Sequence, residues 1–315
     1  SNWMWPRNVL VTAANGDLAE AVSGVLKDAF PNINIYGCEA GDLWPAKAIL
    51  NDVASVPRGD SVDYISEIKK IVSQLNIDLV IPCSDVELVR LSTAKNNDEC
   101  ECSLLIPGHD LVHIFTDKYL GAKWLEKHNI ATPKTTLLTV ASSSELPLIV
   151  KPRNGSGSVG IYKVTTPELL EGLKVEFGDS YVAQEYLDAD NQEYTCAIFK
   201  NNNVTRTLIL HRRLDAGRTV SATVVTEPKI ESILLKLITL SNLNGLLNVQ
   251  LRLTDKGPKI FEVNPRVSST VKMRHMLGFR DLVWAIKSMN GEKLPEFKGK
   301  IDGTIYRLSR EIIKP

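Results

Sequence analysis

The chain has few cysteines and no long apolar run. Its five cysteines are an odd number without the spacing of a disulfide framework, and no second Cys or His pair stands at zinc-site spacing beside Cys100 and Cys102. No apolar stretch reaches the length of a membrane-spanning helix, and the first residues lack the organisation of a signal peptide. We therefore expect a cytoplasmic protein that has neither a zinc centre nor a membrane partner.

The chain also lacks an excess of charge of either sign. Lysine plus arginine number 37, aspartate plus glutamate number 37, and the formal net charge is zero. A protein that coats nucleic acid normally carries a basic excess, so we expect no nucleic-acid partner. With 315 residues, of which 43% are hydrophobic, the chain is long enough for about two domains and a sizeable core.

A glycine-rich loop follows a short apolar strand near the middle of the chain. The strand ends on Lys151, and the loop then carries Gly155, Ser156, Gly157 and Gly160. Glycine lets backbone N–H groups approach a ligand closely, and successive N–H groups form an anion-binding concavity to which lysine adds charge. The pattern fits a loop that holds a polyphosphate, and an ordinary hairpin turn fits it equally well. No Gly-Lys-Ser/Thr follows, so it is not a Walker A loop.

The first hundred residues alternate strands and helices. Apolar runs predict strands at 8–12, 32–37 and 78–82, and helical periodicity predicts helices at 18–30 and 62–75. This alternation is typical of a parallel sheet with helices on both faces. The first turn retains Gly16, but Ala13 and Ala19 occupy positions where a dinucleotide-binding fingerprint needs glycine. A bare scaffold therefore fits this unit better than a nucleotide site.

Polar groups follow the last of these strands. Asp85 and Glu87 lie beyond its carboxyl end, where open α/β sheets place ligands. Both carboxylates are candidates for contact with a substrate amine. An N-cap of the following helix by Ser84 or Asp85 explains the same residues equally well.

A polar hairpin near the end of the chain has the most specific local geometry. Two alternating strands flank turn residues, and centring the turn on Lys256 places Gln250 opposite Glu262. Asn264 lies two residues beyond Glu262 and shares its face. Three oxygen-bearing side chains therefore converge, which suits Mg²⁺ if a nucleotide supplies further charge. A hydrated polar sheet face is the alternative interpretation.

Basic residues accompany this hairpin. Arg266 directly follows the second strand, and three more arginines lie in neighbouring segments, Arg212, Arg218 and Arg274. Arginine can clamp a carboxylate or a phosphate with two hydrogen bonds. Any one of these arginines, taken alone, is explained as an ordinary surface residue. Only the presence of several arginines near the expected metal indicates a substrate site. We find no nucleophile, histidine and acid arranged for covalent serine or cysteine catalysis.

These motifs follow one order along nearly the whole chain. The first motif is Asp-Lys before a helix, and the second is Lys-Pro with the glycine-rich loop. Gln-Glu-Tyr-Leu and Glu-Tyr-Thr follow. The last two are a glutamine within a strand and the segment Glu-Val-Asn-Pro-Arg. The order resembles the ATP-grasp superfamily, and more narrowly the short proteins related to the large subunit of carbamoyl-phosphate synthase. The resemblance implies an α/β fold that becomes α+β in its C-terminal part. It implies a Rossmann-like parallel-sheet domain at 1–112, preceding an ATP-grasp central lid subdomain at 113–188 and a C-terminal subdomain with the metal site at 189–315.

The resemblance also implies roles for individual residues. Lys118 and Lys151 correspond to lysines that contact the ATP phosphates, and the loop from Gly155 corresponds to a mobile phosphate cover. Glu193 corresponds to the acid that binds the ribose, and Arg266 corresponds to a residue at the transferred phosphate, acting in catalysis with Lys151. The adenine is expected along Gln184, Glu185, Tyr186 and Leu187, and the expected metal ligands are Gln250, Glu262 and Asn264.

The implied chemistry is ATP-dependent ligation. A carboxylate attacks the γ-phosphate of ATP, with Mg²⁺ or Mn²⁺ as the metal, and an amine then displaces phosphate from the acyl phosphate. An amino acid or a sugar acid is the expected substrate, and a homodimer is expected because the family often dimerises. Two alternatives remain, which are activation of a one-carbon acid such as bicarbonate and a nucleotide-binding module without catalysis. A departure at 211–218, where relatives often carry acidic residues, leaves the acceptor contacts open.

Overall fold

The computed structural model of the chain describes residues 4–155, 160–188, 192–297 and 301–315. Its N-terminal part alternates strands and helices, in the order β1 Asn8–Val11, α1 Asp17–Ala29, β2 Asn34–Glu39, α2 Ala46–Ile49, β3 Asp52–Ser55, α3 Tyr64–Gln74, β4 Leu79–Ile81 and α4 Asp85–Asn96. The strands form one sheet in the order β3-β2-β1-β4, and every neighbouring pair is parallel. The predicted α/β class with an N-terminal parallel sheet is therefore confirmed.

Helix α1 illustrates how the sequence pattern produces this packing. Its apolar residues recur every three or four positions, so that Leu18, Val22 and Leu26 lie on one buried face. That face belongs to a core that also contains residues of the N-terminal sheet and of the C-terminal part of the chain. The N-terminal sheet is thus anchored to the rest of the molecule by apolar contacts.

The middle of the chain forms a small antiparallel sheet. Two helices precede it, α5 His109–Phe115 and α6 Lys118–Lys127, and its elements are β5 Thr135–Leu137, β6 Leu148–Pro152, β7 Tyr162–Val164, α7 Pro167–Phe177 and β8 Tyr181–Glu185, with 3₁₀ turns at Leu138–Val140, Ser143–Glu145 and Gly178–Ser180. The strand order is β5-β8-β6-β7. Helix α7 packs on this sheet through a separate apolar cluster that includes Val150, Leu170 and Ala183.

The C-terminal part forms the largest sheet. Its elements are β9 Glu193–Lys200, β10 Thr205–Asp215, β11 Arg218–Val224, α8 Pro228–Ser241, β12 Gly245–Thr254, β13 Gly257–Asn264, α9 Val271–Met276, α10 Asp281–Met289 and β14 Thr304–Tyr306. The strands lie in the order β13-β12-β9-β10-β11-β14 and all pairs are antiparallel. Within the described residues, no helix combines the length and apolarity needed to cross a membrane.

The two faces of this sheet belong to different cores. Successive side chains of a strand point to opposite faces, and on β9 Cys196 and Ile198 join a cluster with α5, α6 and α8. Ala197 and Phe199 join the cluster that contains α1, α9 and α10. At the other end of β9, Glu193 and the buried Thr195 replace the apolar residues. The sheet is therefore covered by helices along most of its length, and one end of one face is polar.

The packing of α5 and α6 bears on the predicted subdomain boundaries. Leu111, Phe115 and Leu125 pack in the core of the C-terminal sheet, and the small sheet begins only at Thr135. The division at 112 and 188 stays a prediction, and this packing favours a central unit that starts near residue 135.

A β-bulge sets the register of the hairpin formed by β12 and β13. The turn is tighter than predicted, because Thr254 pairs with Gly257 and leaves a two-residue loop. That turn alone would pair Gln250 with Phe261. The register shifts between Gln250 and Leu251, however, and Gln250 pairs with Glu262 while Asn248 pairs with Asn264. The predicted pairing of Gln250 with Glu262 is confirmed, but the bulge produces it and not a turn centred on Lys256.

A matched pair of glycine substitutions tests the packing of the N-terminal sheet. A Cβ atom on Gly37 of β2 would lie 2.7 Å from both Ala14 Cβ and Leu50 Cδ1, whereas a Cβ atom on Gly172 of α7 would meet nothing within 4 Å. We expect Gly37→Ala to lower the free energy of unfolding by about 1–3 kcal/mol because it overpacks the core. Gly172→Ala should raise it by about 0.5–1 kcal/mol because alanine is the better helix former. Urea denaturation measures both, and equal effects would contradict the described packing.

Candidate active site

A cleft of about 460 Å³ lies where the three sheets meet. The small sheet contributes Lys151 and Gln184, and the large sheet contributes Glu193 and Glu262. Cys83, which follows β4 of the parallel sheet, also lines it. The carboxyl end of a parallel strand therefore borders the cleft, as the sequence predicted. The volume lies within the range of about 300–1,000 Å³ that is usual for small-molecule sites.

Lys151 projects into the cleft from β6. Its side chain is buried, and Nζ donates a hydrogen bond to Gln184 Oε1 at 3.0 Å. Burial lowers the pKa of Lys151 to about 8, an effect that the Glu262 carboxylate opposes and the Lys118 ammonium reinforces. The strand thus holds a lysine whose charge is poorly compensated by the protein. A ligand with negative charge would supply the missing compensation.

Lys118 begins helix α6 beside this lysine. Asp117 caps the helix by accepting hydrogen bonds from the Tyr119 and Leu120 N–H groups, and it also forms an ion pair with Arg153 at 2.9 Å. The Lys118 N–H donates to the Arg153 carbonyl at 2.9 Å. The start of α6 and the segment after β6 are consequently tied together. This tie brings Lys118 and Lys151 to the same cleft although 33 positions separate them in the sequence.

The glycine-rich loop continues from this tie. The Lys118 ammonium donates a hydrogen bond to the Gly155 carbonyl. Gly155 and Gly160 have φ values of 95° and 75°, and a Cβ atom on Gly160 would lie 2.6 Å from the Tyr181 hydroxyl. Both positions therefore require glycine for steric reasons. The predicted phosphate contacts at Ser156 and Gly157 lie outside the described residues.

The segment after β8 forms a further wall of the cleft. Glu185, Tyr186 and Leu187 all line it. The Glu185 N–H donates to the Lys134 carbonyl at 2.8 Å, and the Leu187 carbonyl accepts a hydrogen bond from Arg252 at 3.2 Å. The expected adenine contacts at the Glu185 N–H and the Leu187 carbonyl would thus have to replace or share existing hydrogen bonds. The Gln184 side chain accepts a hydrogen bond from Lys151 and donates one to Thr135 Oγ1 at 3.0 Å, so both ends of its amide are already paired.

A row of polar side chains crosses the large sheet at the bottom of the cleft. Arg212 donates to Glu193 Oε1 at 3.1 Å and to Gln250 Oε1 at 3.2 Å. Gln250 Nε2 and Asn248 Nδ2 each donate to Asn264 Oδ1 at 3.2 Å. The predicted ribose acid Glu193 is therefore paired with Arg212. The row connects four neighbouring strands, β10, β9, β12 and β13, through side chains alone.

Glu262 is the acidic group closest to the two lysines. Its Oε1 lies 4.0 Å from Lys118 Nζ, and its side chain lines the cleft together with Asn264. Carboxylate and amide oxygens suit Mg²⁺, but the described residues hold no group of three or more His, Cys, Asp or Glu able to bind a metal. Glu262 and Asn264 are therefore suited to hold a metal ion whose remaining ligands come from the phosphates of a nucleotide. The amide oxygens of Gln250 and Asn264 already accept hydrogen bonds, from Arg212 for Gln250 and from Asn248 and Gln250 for Asn264, so binding a metal through either oxygen would require these bonds to be shared or exchanged.

Arg266 joins the far end of the hairpin to the parallel sheet. Its Nε donates to Asp85 Oδ1 at 2.8 Å, and both side chains are largely buried. Arg266 lines the cleft, so its predicted position at the phosphates is compatible with the geometry. Asp85 holds this guanidinium, which is a different contact from the substrate amine expected for it.

Glu87 does not line the cleft, and the substrate contact expected for it is not supported. Its carboxylate accepts hydrogen bonds from the Tyr64 hydroxyl and from Ser84 Oγ. Ser84 in turn caps α4 by accepting from the Glu87 N–H. Burial raises the pKa of Glu87, partly offset by these hydrogen bonds. Of the two predicted helix caps, Ser84 or Asp85, the structure has Ser84 as the N-cap.

The three candidate substrate arginines have different positions. Arg212 and Arg218 line the cleft, and Arg218 forms an ion pair with Asp17 at 3.1 Å. Arg274 is a correction to the sequence analysis, because its side chain is 1% exposed and forms an ion pair with Asp281 at 2.8 Å. It also donates to Asn248 at 3.1 Å. Arg274 therefore supports the polar row from below and does not contact the cleft.

Sequence reasoning missed several residues that line the cleft, among them Ile149, Arg252 and Phe261. Ile149 and Arg252 lie two residues from Lys151 and Gln250, so alternation along the strands could have identified both. Phe261 could not be found in this way, because the bulge turns it to the same side as its neighbour Glu262. Its ring centroid lies 5.5 Å from Lys151 Nζ.

Comparison with known proteins identifies one family and several similar folds. The model of the ATP-grasp domain family matches residues 115–270. N5-carboxyaminoimidazole synthetase from Staphylococcus aureus, in complex with ADP, superimposes with a TM-score of 0.74 at 13% identity, over 93% of this chain and 79% of that one. L-amino acid ligase from Bacillus licheniformis has a TM-score of 0.70 at 14% identity, over 90% and 74% of the two chains. These similarities establish the fold.

Sequence similarity to curated proteins is confined to part of the chain. An uncharacterized protein of Mycoplasma genitalium is 29% identical over 104 residues, which is 33% of this chain and 36% of that protein. The match thus spans about a third of the length of this relative. The relative has no assigned activity that could be transferred.

The buried pair of Arg274 and Asp281 provides a test of the support beneath the cleft. Arg274→Leu should lower the free energy of unfolding by about 3–5 kcal/mol, because it leaves a buried carboxylate without its partner. Burial raises the pKa of Asp281 even beside Arg274, so the loss should be smaller at low pH, where the carboxylate takes up a proton. Urea denaturation at pH 5 and pH 8 measures both effects. The double variant Arg274→Leu/Asp281→Leu should recover stability, and a double variant as unstable as the single one would contradict this account.

Proposed function

We propose that this chain, a member of the ATP-grasp superfamily, is an ATP-dependent ligase that joins a carboxylate to an amine. The observation that supports this most is the meeting of Lys118, Lys151, Glu262 and Arg266 in one cleft. Three cations and one carboxylate, drawn from different sheets and helices, suit a ligand that brings several negative charges. A nucleoside triphosphate is such a ligand.

The shape of the cleft supports a nucleotide in one orientation. Ile149, Leu187 and Phe261 give apolar surface near the segment that follows β8, which suits the flat face of a base. Glu193 lies on β9 next to this wall and fits ribose hydroxyls if Arg212 shifts. The phosphates would then extend toward Lys118, Lys151 and Arg266. The glycine-rich loop would cover them and limit the access of water.

The reaction would proceed in two steps. The carboxylate oxygen of the acid attacks the γ-phosphorus of ATP, the bond to the β-phosphate oxygen breaks, and ADP leaves. The nitrogen of the neutral amine then attacks the acyl carbon, phosphate leaves with the electron pair of the carbon–oxygen bond, and the nitrogen loses one proton to the solvent. Positioning and charge stabilisation account for most of what phosphoryl transfer requires. Lys151 and Arg266 are placed to stabilise the charge on the transferred group.

A divalent cation fits this scheme as a partner of the phosphates. Glu262 and Asn264 are the side chains that would hold it, with Gln250 orienting Asn264 through their hydrogen bond. Bound there, Mg²⁺ or Mn²⁺ would supply positive charge to the β- and γ-phosphates. The narrower relation to carbamoyl-phosphate synthase stays a prediction, as does the identity of the acid.

Phosphate transfer to an acid provides the direct test. With MgATP, hydroxylamine and a panel of amino acids and sugar acids, we expect ADP release and a hydroxamate with the true acid. Arg266→Gln should lower kcat by about 10²–10³, the usual cost of removing one group that stabilises transition-state charge. Arg58→Gln is the control, because Arg58 is 83% exposed and paired only at the surface. ATP binding without turnover across the panel would instead favour a module without catalysis.

The pH dependence provides a second test. The pKa of Lys151 is about 8 in the free protein, and its protonated form is the one that attracts phosphates. We therefore expect kcat/KM for ATP to fall as pH rises through about 8, because kcat/KM reports ionisations of the free enzyme. The fall should disappear from this range in Lys151→Arg, since arginine stays charged. An unchanged inflection in that variant would assign it to another group.

A further inference from the structure

A second cavity of about 450 Å³ lies beside the cleft. It is formed by α1, α9 and the segment that includes and follows β14. Asp17, Arg218 and Ser269 line both spaces. A ligand in the second cavity could therefore extend into the cleft at the end where Arg266 lies.

Arg307 is the most informative group in this cavity. Its Nη2 donates to the Ser269 carbonyl at 3.0 Å, and within the described residues its Nε and Nη1 donate no hydrogen bond. Burial, and next the Arg218 guanidinium, lower the pKa of Arg307, against the opposing effect of Asp17 and Glu20. Arg307 and Arg218 thus both line one cavity, and of these two only Arg218 forms an ion pair, with Asp17, among the described residues. An anion bound there would give Arg307 a charged partner.

Two carboxylates, Asp17 and Glu20, line the same cavity. Asp17 forms an ion pair with Arg218 at 3.1 Å, and Glu20 forms one with Arg310 at 3.2 Å. Asp17 belongs to both cavities, so it marks the junction, whereas Glu20 and Arg310 belong to the second cavity alone. The cavity therefore presents the Arg307 guanidinium and, at its junction with the cleft, the ion pair of Arg218 and Asp17.

Part of the remaining wall is apolar, although Lys272 and Ser309 also line the cavity. Met273 of α9 and Ile305 of β14 form the apolar part, and the Met273 sulfur accepts a hydrogen bond from Arg307 Nη2 at 3.9 Å. The combination of a cationic site, an anionic site and an apolar wall matches a small zwitterion with an apolar substituent.

We propose that the second cavity binds the amine substrate as an α-amino acid. Its carboxylate would lie between Arg307 and Arg218, and its amino group would point past Asp17 into the cleft. On binding, the ligand would break the ion pair between Arg218 and Asp17. The ligand carboxylate would pair with Arg218, and the ligand ammonium would pair with Asp17. The ammonium would then face the acyl phosphate, and loss of one proton to the solvent would give the free amine that attacks it. This inference rests on the proposed ligase function and adds the class of the amine and the residue that recognises it.

Equilibrium binding tests the inference without turnover. The full chain is loaded with Mg²⁺ and a non-hydrolysable ATP analogue, and the common L-amino acids are titrated by calorimetry beside their α-amides and the corresponding amines that lack the carboxylate. At least one amino acid should bind about 10-fold or more tightly than its amide, the expected value of a charge-assisted hydrogen bond. If no amino acid binds to the loaded protein, or if the amides bind equally well, the inference is overturned.

Variants assign the recognition to Arg307. Arg307→Gln should lose the preference for the free carboxylate, and Arg307→Lys should keep part of it because it retains the charge. Arg310→Gln removes the same charge from the outer edge of the cavity and should leave the preference nearly unchanged. Equal losses in the Arg307 and Arg310 variants would reveal a general charge effect and contradict the assignment.

Two further measurements separate the possible failures. Thermal unfolding and binding of the ATP analogue, measured on each variant, show whether Arg307→Gln remains folded and keeps the nucleotide site. If the wild-type chain binds no nucleotide, the proposed function itself fails. If nucleotide binds and a hydroxamate forms, but free amino acids have no advantage over their amides, only the inference about the amine fails.

Discussion

The site depends on a continuous row of hydrogen bonds across the large sheet. The row runs from Glu193 through Arg212 and Gln250 to Asn264, and then through Asn248 to the buried pair below. Buried polar groups are costly unless they are paired, so each member restricts the orientation of the next. The polar row is what makes one end of the sheet face a binding site.

The bulge in the hairpin determines which side chains join this row. Two successive residues, Phe261 and Glu262, line the cleft, whereas Ile260 and Val263 pack in the core on the opposite face. A regular strand would place only one of the two successive residues on the cleft side. The bulge thus provides an aromatic surface near Lys151 and a carboxylate near Lys118 from a single short segment. Bulges often re-aim side chains next to binding sites in this way.

Much of the fold was accessible from the sequence because its signals are local. The period of apolar residues in α1, the alternation in β9 and the turn chemistry of the hairpin each act within a few residues. Lys151 and Glu262 were identified because they stand in short motifs. Arg274 and Glu87 were misassigned because their sequence neighbours resemble those of site residues, while their partners, Asp281 and Tyr64, are set by packing. Long-range pairs of this kind leave no local pattern.

The sequence by itself determined the alternation of the N-terminal sheet, the glycine positions of the central loop and the polar face of the hairpin. Each follows from the backbone freedom of glycine or from the period of a strand or helix. Only the tertiary structure decided which charged groups meet. Asp117 binds Arg153, Arg266 binds Asp85 and Arg307 reaches Ser269 across separations of 36, 181 and 38 residues. Such contacts depend on how separate elements pack, because their partners come together only after burial of the apolar faces has brought the sheets into contact.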